Sequence, residues 1–565
     1  MNSNKFNILT RFLIFSALAL GLAACGGGGS GSGTPTNNNP SAPNVLSTTP
    51  ADSATSVARN SAITATFDED IFATTVDATS FTLNDLDSIF GTVIFNGATN
   101  VATFTPGLDL SILQTYNATL NTAITDLDGT PLAADYSWSF TTADGTWQSA
   151  AVVETGATNA LNPQIDIDSN GNAIAVWAQS NGGSVFNIYA NRYDASTGMW
   201  GMPIEIANEL ENILDPQIAM DQNGVASVVW AQTIGVIGNI YANRYDPVTD
   251  TWGTKVLISV STDGYRPQIA VPLATNNAMV VFDSPSAKDV LASEYDSTTS
   301  TWGTPEAIDS TVTDSTNAQI AMNFSGDAMV VWASNDAFGV GFGVLMNVYN
   351  STSGNWNAAA LTVESTFSNT SAPQVAINNS GHAMVVWESV GSGDIQAKRW
   401  DVTNGGPPFD TGLTEVIGSG SGDSDHQIVV DFNGDALAVW TQQDGVFPNF
   451  VSNMYSKRYD RATDTWGTAS LLETLPGDAD APQITIDSRG NAIAVWQQTN
   501  GAGTGIYSSR YVASTGMWGA AELMPSIFTF SNIRPQIAVG STGVAAAVWQ
   551  GSDGTTSGIH SSNFE

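Results

Sequence analysis

Pro216-Gln217-Ile218-Ala219-Met220-Asp221-Gln222-Asn223-Gly224-Val225-Ala226-Ser227-Val228-Val229-Trp230 reads as a β-hairpin. Asn223-Gly224 accepts the positive φ angles of a tight reversal, and apolar or β-branched residues flank it on both sides. Its Gln has counterparts at Gln164, Gln268, Gln319, Gln374, Gln427, Gln483 and Gln536, and a Trp or Phe follows each of the eight by thirteen or fourteen residues. The periods between them are 53, 51, 51, 55, 53, 56 and 53 residues. That spacing predicts one four-stranded propeller blade per repeat.

Downstream, Asn239 to Asp246 forms a third strand, Pro247-Val248-Thr249-Asp250 a turn, and Thr251-Trp252-Gly253 leads to a fourth strand through Val256-Leu257-Ile258. The turn recurs as Tyr193-Asp194 with Trp200, Tyr245-Asp246 with Trp252, Tyr295-Asp296 with Trp302, Tyr349-Asn350 with Trp356, Tyr459-Asp460 with Trp466, and Tyr511-Val512 with Trp518. An Asp at its first position can accept from the backbone two residues on, and the Trp can wedge between blades with its N–H satisfied. The fifth copy departs, with Trp400-Asp401 followed by Asn404-Gly405-Gly406-Pro407-Pro408-Phe409. Blade five is therefore expected to be irregular. A neutral insertion and a binding loop both fit that departure.

The chain stops at Ile559-His560-Ser561-Ser562-Asn563-Phe564-Glu565, where a turn and fourth strand are due. Asp144-Gly145-Thr146-Trp147 and Ala151-Val152-Val153-Glu154 supply those parts from the other end. Seven whole copies and one split copy predict eight blades, closed by pairing of N- and C-terminal segments. Closure removes the open edge between the terminal blades.

The Tyr-Asp-x-x-Thr-x-x-Trp turn resembles that of kelch-type propellers, although the family's Gly-Gly doublet is replaced by Ala-Val-Trp, as at Ala175-Val176-Trp177 and Ala494-Val495-Trp496. A likeness to the Asp-box of sialidase-type propellers stops at Asp144-Gly145-Thr146-Trp147. Both resemblances imply propeller geometry and neither family's chemistry.

Residues 1–25 carry Lys5 and Arg11, an apolar run Phe12 to Leu20, then Leu22-Ala23-Ala24-Cys25. Such a segment is an export signal too short to span a bilayer as a mature helix. Leu22-Ala23-Ala24-Cys25 resembles the lipobox of bacterial lipoproteins, which implies cleavage before Cys25 and acylation of that residue. Gly26, in place of Asp, resembles the pattern sorted to the outer membrane. Cys25 is the sole cysteine, so a disulfide framework is excluded. Residues 26–42 are mostly Gly, Ser, Thr, Asn and Pro and form a tether.

Residues 43–143 show short strands with turn residues between them, as in a β-sandwich. Pro50-Ala51-Asp52, Phe67-Asp68-Glu69, Tyr116, Asp126-Leu127-Asp128-Gly129-Thr130-Pro131-Leu132 and Ser139-Phe140-Thr141-Thr142 resemble the bacterial Ig-like domains of surface and surface-layer proteins. That resemblance implies a spacer or adhesive stalk module. The propeller then occupies residues 144–565, and the expected fold class is all-β, an Ig-like β-sandwich followed by an eight-bladed β-propeller.

Sixteen Lys plus Arg stand against fifty-three Asp plus Glu, a formal net charge of −37. Phosphate binding needs a basic face, so nucleic acid is not an expected partner. Calcium is the one cofactor such acidity suggests, at Asp166-Ile167-Asp168-Ser169-Asn170-Gly171. The stretch lacks a downstream bidentate carboxylate, and Asp221-Gln222-Asn223-Gly224 and Asp487-Ser488-Arg489-Gly490 keep the turn without the ligands, so the expected reading is a plain hairpin with no metal site.

The three histidines, His382, His426 and His560, are far apart in sequence, and no nucleophile elbow or phosphate loop is present. His382 and His426 are read as turn and surface residues. Arg192, Arg244, Arg399, Arg458 and Arg510 share one repeat position and should form a ring tied to nearby carboxylates. The eight Gln should circle the channel near one mouth, either binding a polar ligand or bonding neighbouring blades, the structural role being the expectation. No catalytic residue is assigned, and the ligand-binding residues stay open. The expected function is a lipid-anchored outer-membrane protein acting as a non-enzymatic binding or adhesion module for a glycan or protein, held to the bilayer through acylated Cys25. The alternatives are a polysaccharide-cleaving hydrolase or lyase with carboxylates at a propeller mouth, and a purely structural surface protein.

Overall fold

The computed structural model describes residues 41–565 apart from 86–87, 157–158, 181, 184, 209–212, 236, 261, 273–274, 310–313, 336–341, 365–369, 390–391, 403–408, 411–413, 419–422, 447–448, 502 and 528–530. Cys25 and the signal lie outside the described residues, as does nearly all of the tether and the Asn404–Pro408 stretch of blade five.

Two four-stranded sheets make the N-terminal sandwich, Val45–Thr49, Ile63–Phe67, Val101–Pro106 and Gly91–Asn96 facing Ala54–Val57, Tyr136–Thr142, Thr115–Leu120 and Phe81–Asn84. Phe67, Phe81, Phe104, Trp138 and Phe140 fill its core. Tyr116 reaches back from its strand to accept the Ser111 N–H at 2.8 Å, the tyrosine-corner device of Ig-like sandwiches.

Eight blades follow, starting at Ala160, Ile213, Tyr265, Ser315, Thr370, Ser424, Ala479 and Ser531. In each whole blade the first three strands pair antiparallel in order. The outer strand is interrupted: Thr251–Trp252 pairs with Asp246 and Tyr245, Val256–Leu257 pairs with Tyr241 and Ala242, and Gly253 to Lys255 breaks the ladder between them. Blade eight closes as expected, His560 and Ser561 pairing with Val152 and Ala151, and Phe564 bridging to Trp147.

The core lies between blades. Trp177, Trp230, Trp332, Trp387, Trp440, Trp496 and Trp549 are fully buried on the second strands, with Phe282 in blade three. Each hydrophobic cluster joins consecutive blades, including Ile165, Trp177, Val548 and Ile559 across the closing seam. The turn Trp residues wedge there: Trp200 Nε1 donates to Ser561 Oγ at 2.7 Å and Trp147 Nε1 to Ser508 Oγ at 2.8 Å, each on the neighbouring blade. Three of the ring arginines tie blades in the same way: Arg244 stacks over Tyr295 at 3.9 Å, Arg399 pairs with Asp464, and Arg510 meets Asp144 at 3.1 Å over the Phe564 ring, whereas Arg458 pairs with Asp435 of its own blade. The charge of Arg192 acts on Asp194 and Tyr245.

The sandwich is seated on the turns of blades seven and eight. Ile112 donates its N–H to the Thr542 carbonyl at 2.9 Å and is buried in the cluster with Ile493 and Trp549, while Arg489 reaches Asp85 at 2.6 Å. Those turns lie at the end of the channel where the innermost strands finish. Among the described residues, none from the sandwich lines the cavities at the opposite mouth, where the innermost strands begin.

Candidate functional site

At that open mouth every innermost strand makes the same departure from regular β-structure. A bulge falls just before each Gln, as between Leu161 and Gln164 or Leu214 and Gln217. Asn162, Asp215, Arg266, Asn317, Ala372, Asp425, Ala481 and Arg534 adopt φ between 47° and 58° there. A non-glycine residue in that region costs on the order of 1 kcal/mol or more, and bulges re-aim side chains. Eight copies of the cost make a ring of side chains at the mouth.

Beneath them all eight Gln are half-buried. Gln164, Gln217, Gln483 and Gln536 line one axial cavity of about 360 Å³ with Asn162, Asp215 and Arg534. Among the described residues, no hydrogen bond from these eight amides carries the expected tie between neighbouring blades. A Gln amide carries two N–H donors and a carbonyl acceptor, which these four bring to the cavity wall.

Charge is unevenly placed around this ring. Arg534 holds Asn162 through its guanidinium and donates its backbone N–H to Gln497 at 3.0 Å. Arg266 bonds Thr316 at 2.6 Å and meets Asp283 at 3.4 Å, and Lys288 meets Asp314 at 3.1 Å, beside a second cavity of about 550 Å³ that Tyr265 also lines. Across the ring, Asp425 is pushed up to about 6, first by desolvation, then by its hydrogen bond and repulsion with Asp480 and by the charge of Glu388.

The histidines stay out of the cavities at the mouth. His382 begins a second strand at the far-end turn and bonds Asn378 at 3.2 Å, as a turn residue. His426 is a correction: it is 2% exposed, not on the surface, because the Pro it replaces is buried in other copies. Burial lowers it to about 4 against the carbonyls of Ala372 and Val386. His560 is fully buried, stacked on Trp549 at 6.2 Å, and burial lowers it also to about 4.

The calcium-like loop is a turn. Asp168 Oδ1 accepts the N–H groups of Asn170 and Asn172 at 2.8 and 2.9 Å, and its Oδ2 accepts from the Asn172 side chain. Asp166 accepts from Ile167 and, on the next blade, Met220. Its burial pushes it up to about 6. These carboxylates therefore serve backbone donors.

No curated protein matches the chain. Among solved structures it is similar to an ulvan lyase of a polysaccharide lyase family at TM-score 0.44 and 9% identity, over 73% of this chain and 95% of that one. The Dos1 propeller gives 0.45 and 8% over 74% and 95%, and the NanB sialidase of Streptococcus pneumoniae 0.33 and 9% over 93% and 95%. Scores of this size carry no argument about activity. Residues 39–142 match the model of a bacterial Ig-like domain, so the chain carries such a domain ahead of its eight-bladed propeller.

Proposed function

We propose that the protein is a lipid-anchored surface module that binds a glycan, without cleaving it, at the open mouth of its propeller. The observation that carries this reading is the ring of eight half-buried Gln amides at the mouth, four of which line one axial cavity. Sugar hydroxyls both donate and accept, and neutral amides match them without selecting a charge. Acylation at Cys25 with a flexible tether would hold the sandwich and propeller near a bilayer without fixing their direction.

The test is retention on a panel of immobilised polysaccharides by the mature chain carrying Cys25→Ser, with an assay for released reducing or unsaturated ends. Retention without release is the expected result. Release of ends would replace the binding reading with the polysaccharide-cleaving one, and retention of nothing on the panel would leave a structural role.

A further inference from the structure

The sandwich has four edge strands, and three of them are blunted. Val45–Thr49 carries a bulge between Val45 and Ser47. Ala54–Val57 is four residues long and shifts register against Tyr136–Thr142, and Phe81–Asn84 is four residues long and runs into Asp85, which the propeller holds through Arg489. The outermost strands of the blades are no longer than four residues. Shortness, bulges, charge and proline are the means by which proteins keep edges from pairing. Gly91–Asn96 has none of them. Its six residues pair with Val101–Pro106 in unbroken register, and no described strand pairs with its other side.

The Gly107 N–H donates to the Phe90 carbonyl at 2.9 Å. Hydrogen-bonded and non-hydrogen-bonded pairs alternate along an antiparallel ladder, so Phe90, Thr92, Ile94 and Asn96 turn their backbone groups toward Val101–Pro106. Gly91, Val93 and Phe95 turn theirs outward. Pro106, which has no N–H to give, sits opposite Gly91, where none is needed. Side chains add an apolar margin to this edge: Phe90 is 90% exposed, Ile94 64% and Leu108 70%. No Asp, Glu, Lys or Arg occurs in any of the four strands of this sheet, in a chain of formal net charge −37.

We propose that two copies of the chain join along this edge, Gly91–Asn96 pairing antiparallel with itself about a two-fold axis at Val93 and merging two four-stranded sheets into one. Centring on Val93 sets Val93 against Val93 and Gly91 against Phe95, so every outward backbone group meets another. Ile94 then lies opposite the partner's Thr92 and diagonal to the partner's Phe90 and Ile94, within reach across a sheet. Two chains of such charge repel, and they close only where neither presents a charge. Antiparallel pairing serves that condition. The Phe90 end of the strand lies toward the propeller, since Asp85 is bonded to Arg489 and Ile112 to Thr542, so the two propellers come to opposite ends of the joined sheet. Because each copy has one unblunted edge, the assembly stops at two. A cationic protein would be drawn to the acidic surface instead of this neutral edge.

The experiment follows the mature Cys25→Ser chain by sedimentation equilibrium at micromolar concentrations in about 0.15 M salt, where the Debye length is about 8 Å. The expected mass is twice that of the chain for the parent and that of one chain for Ile94→Lys, which sets like charges on diagonal positions of the joined sheet. Ile94 is exposed, so an unchanged melting curve verifies that this variant folds. Register is read by mixing a Thr92→Cys chain with an Ile94→Cys chain, both also carrying Cys25→Ser, under oxidised glutathione. Facing Cα atoms of a non-hydrogen-bonded pair stand about 4.5 Å apart, inside disulfide range, so the mixture should give at least about tenfold more disulfide-linked dimer than either variant alone. A parent of single-chain mass, an Ile94→Lys chain that still dimerises, or a mixture that cross-links no more than its components overturns the pairing.

Discussion

The two ends of the same eight innermost strands follow opposite rules. At the far end the chain turns through Asp168, Asp221, Asn323, Asn378, Asp431 and Asp487, and each of these side chains accepts N–H groups of its own turn, as Asp221 does from Asn223 and Val225 at 2.9 and 3.0 Å. At the mouth end the backbone repeats just as strictly, with eight left-handed residues, but the side chains run Asn, Asp, Arg, Asn, Ala, Asp, Ala, Arg. A side chain that bonds its own backbone must recur with that backbone. One that points into the mouth is free to differ from blade to blade, and that is where a ligand would be specified. The comparison predicts that substitutions at repeated positions change stability and leave binding alone, and that substitutions at the unrepeated ring do the reverse.

The largest effect is expected at Phe564, which occupies the repeated aromatic position in the split blade. It is 3% exposed, lies 5.4 Å from the Trp147 ring and sits under Arg510 at 4.9 Å. Phe564→Ala should cost about 3–5 kcal/mol in denaturant unfolding, with glycan retention intact below the transition. A loss under 1 kcal/mol would mean that the seam does not hold the ring. At the far-end turn Asp487, 5% exposed, accepts from the Arg489 and Asn491 backbones at 2.9 Å and from the Asn491 amide. Asp487→Ala leaves those donors unpaired and should cost about 1–3 kcal/mol, again without touching binding.

Much of the repeated half was legible. Period, closure, wedge Trp and Asx-bonded turns all follow from spacing and turn chemistry, because each is a local rule applied eight times. The unrepeated half was not. Pro163-Gln164 and its siblings announce an extended segment, whereas the bulge and the left-handed residue before each Pro arise from pairing with the second strand, which spacing does not encode. The amides looked structural because all eight recur; four of them line the axial cavity. Blade five drew attention by its odd turn, while blade six, whose second and third strands run Ala436–Val446 and Asn449–Asp460, kept the regular Gln427-to-Trp440 spacing. Its trace lay in the longest period, 56 residues, and in the nineteen from Trp440 to Tyr459 against fifteen from Trp230 to Tyr245.

Arg534 sharpens the comparison from the other side. Exposed at the ring and bonded to Asn162, it is the guanidinium that lines the axial cavity. Arg534→Gln should weaken glycan retention about tenfold, near 1.4 kcal/mol, while unfolding free energy stays within about 0.5 kcal/mol. A variant that unfolds earlier but binds as before would reverse the assignment of the two ends.

The smallest effect tests a repeated position by its proton. His560 stands where other blades place Tyr189, Tyr241, Tyr455 and Tyr507 on the buried Trp, and it is lowered to about 4 by burial. The unfolded chain protonates this residue near pH 6.5 while the folded chain does not, so its contribution is full above pH 6.5 and is lost as pH falls from there toward 4. Asp166 and Asp425, both raised to about 6, work in the opposite sense, since the folded chain holds their protons longer. His426 adds to the loss. Because all three remain in His560→Phe, comparing the variant with the parent isolates one group. Between pH 7 and pH 5.5 the parent should lose about 1 kcal/mol more unfolding free energy than the variant. Parallel curves over that interval would show that protons reach the imidazole in the folded ring, and that the seam of blade eight opens where the other blades stay shut.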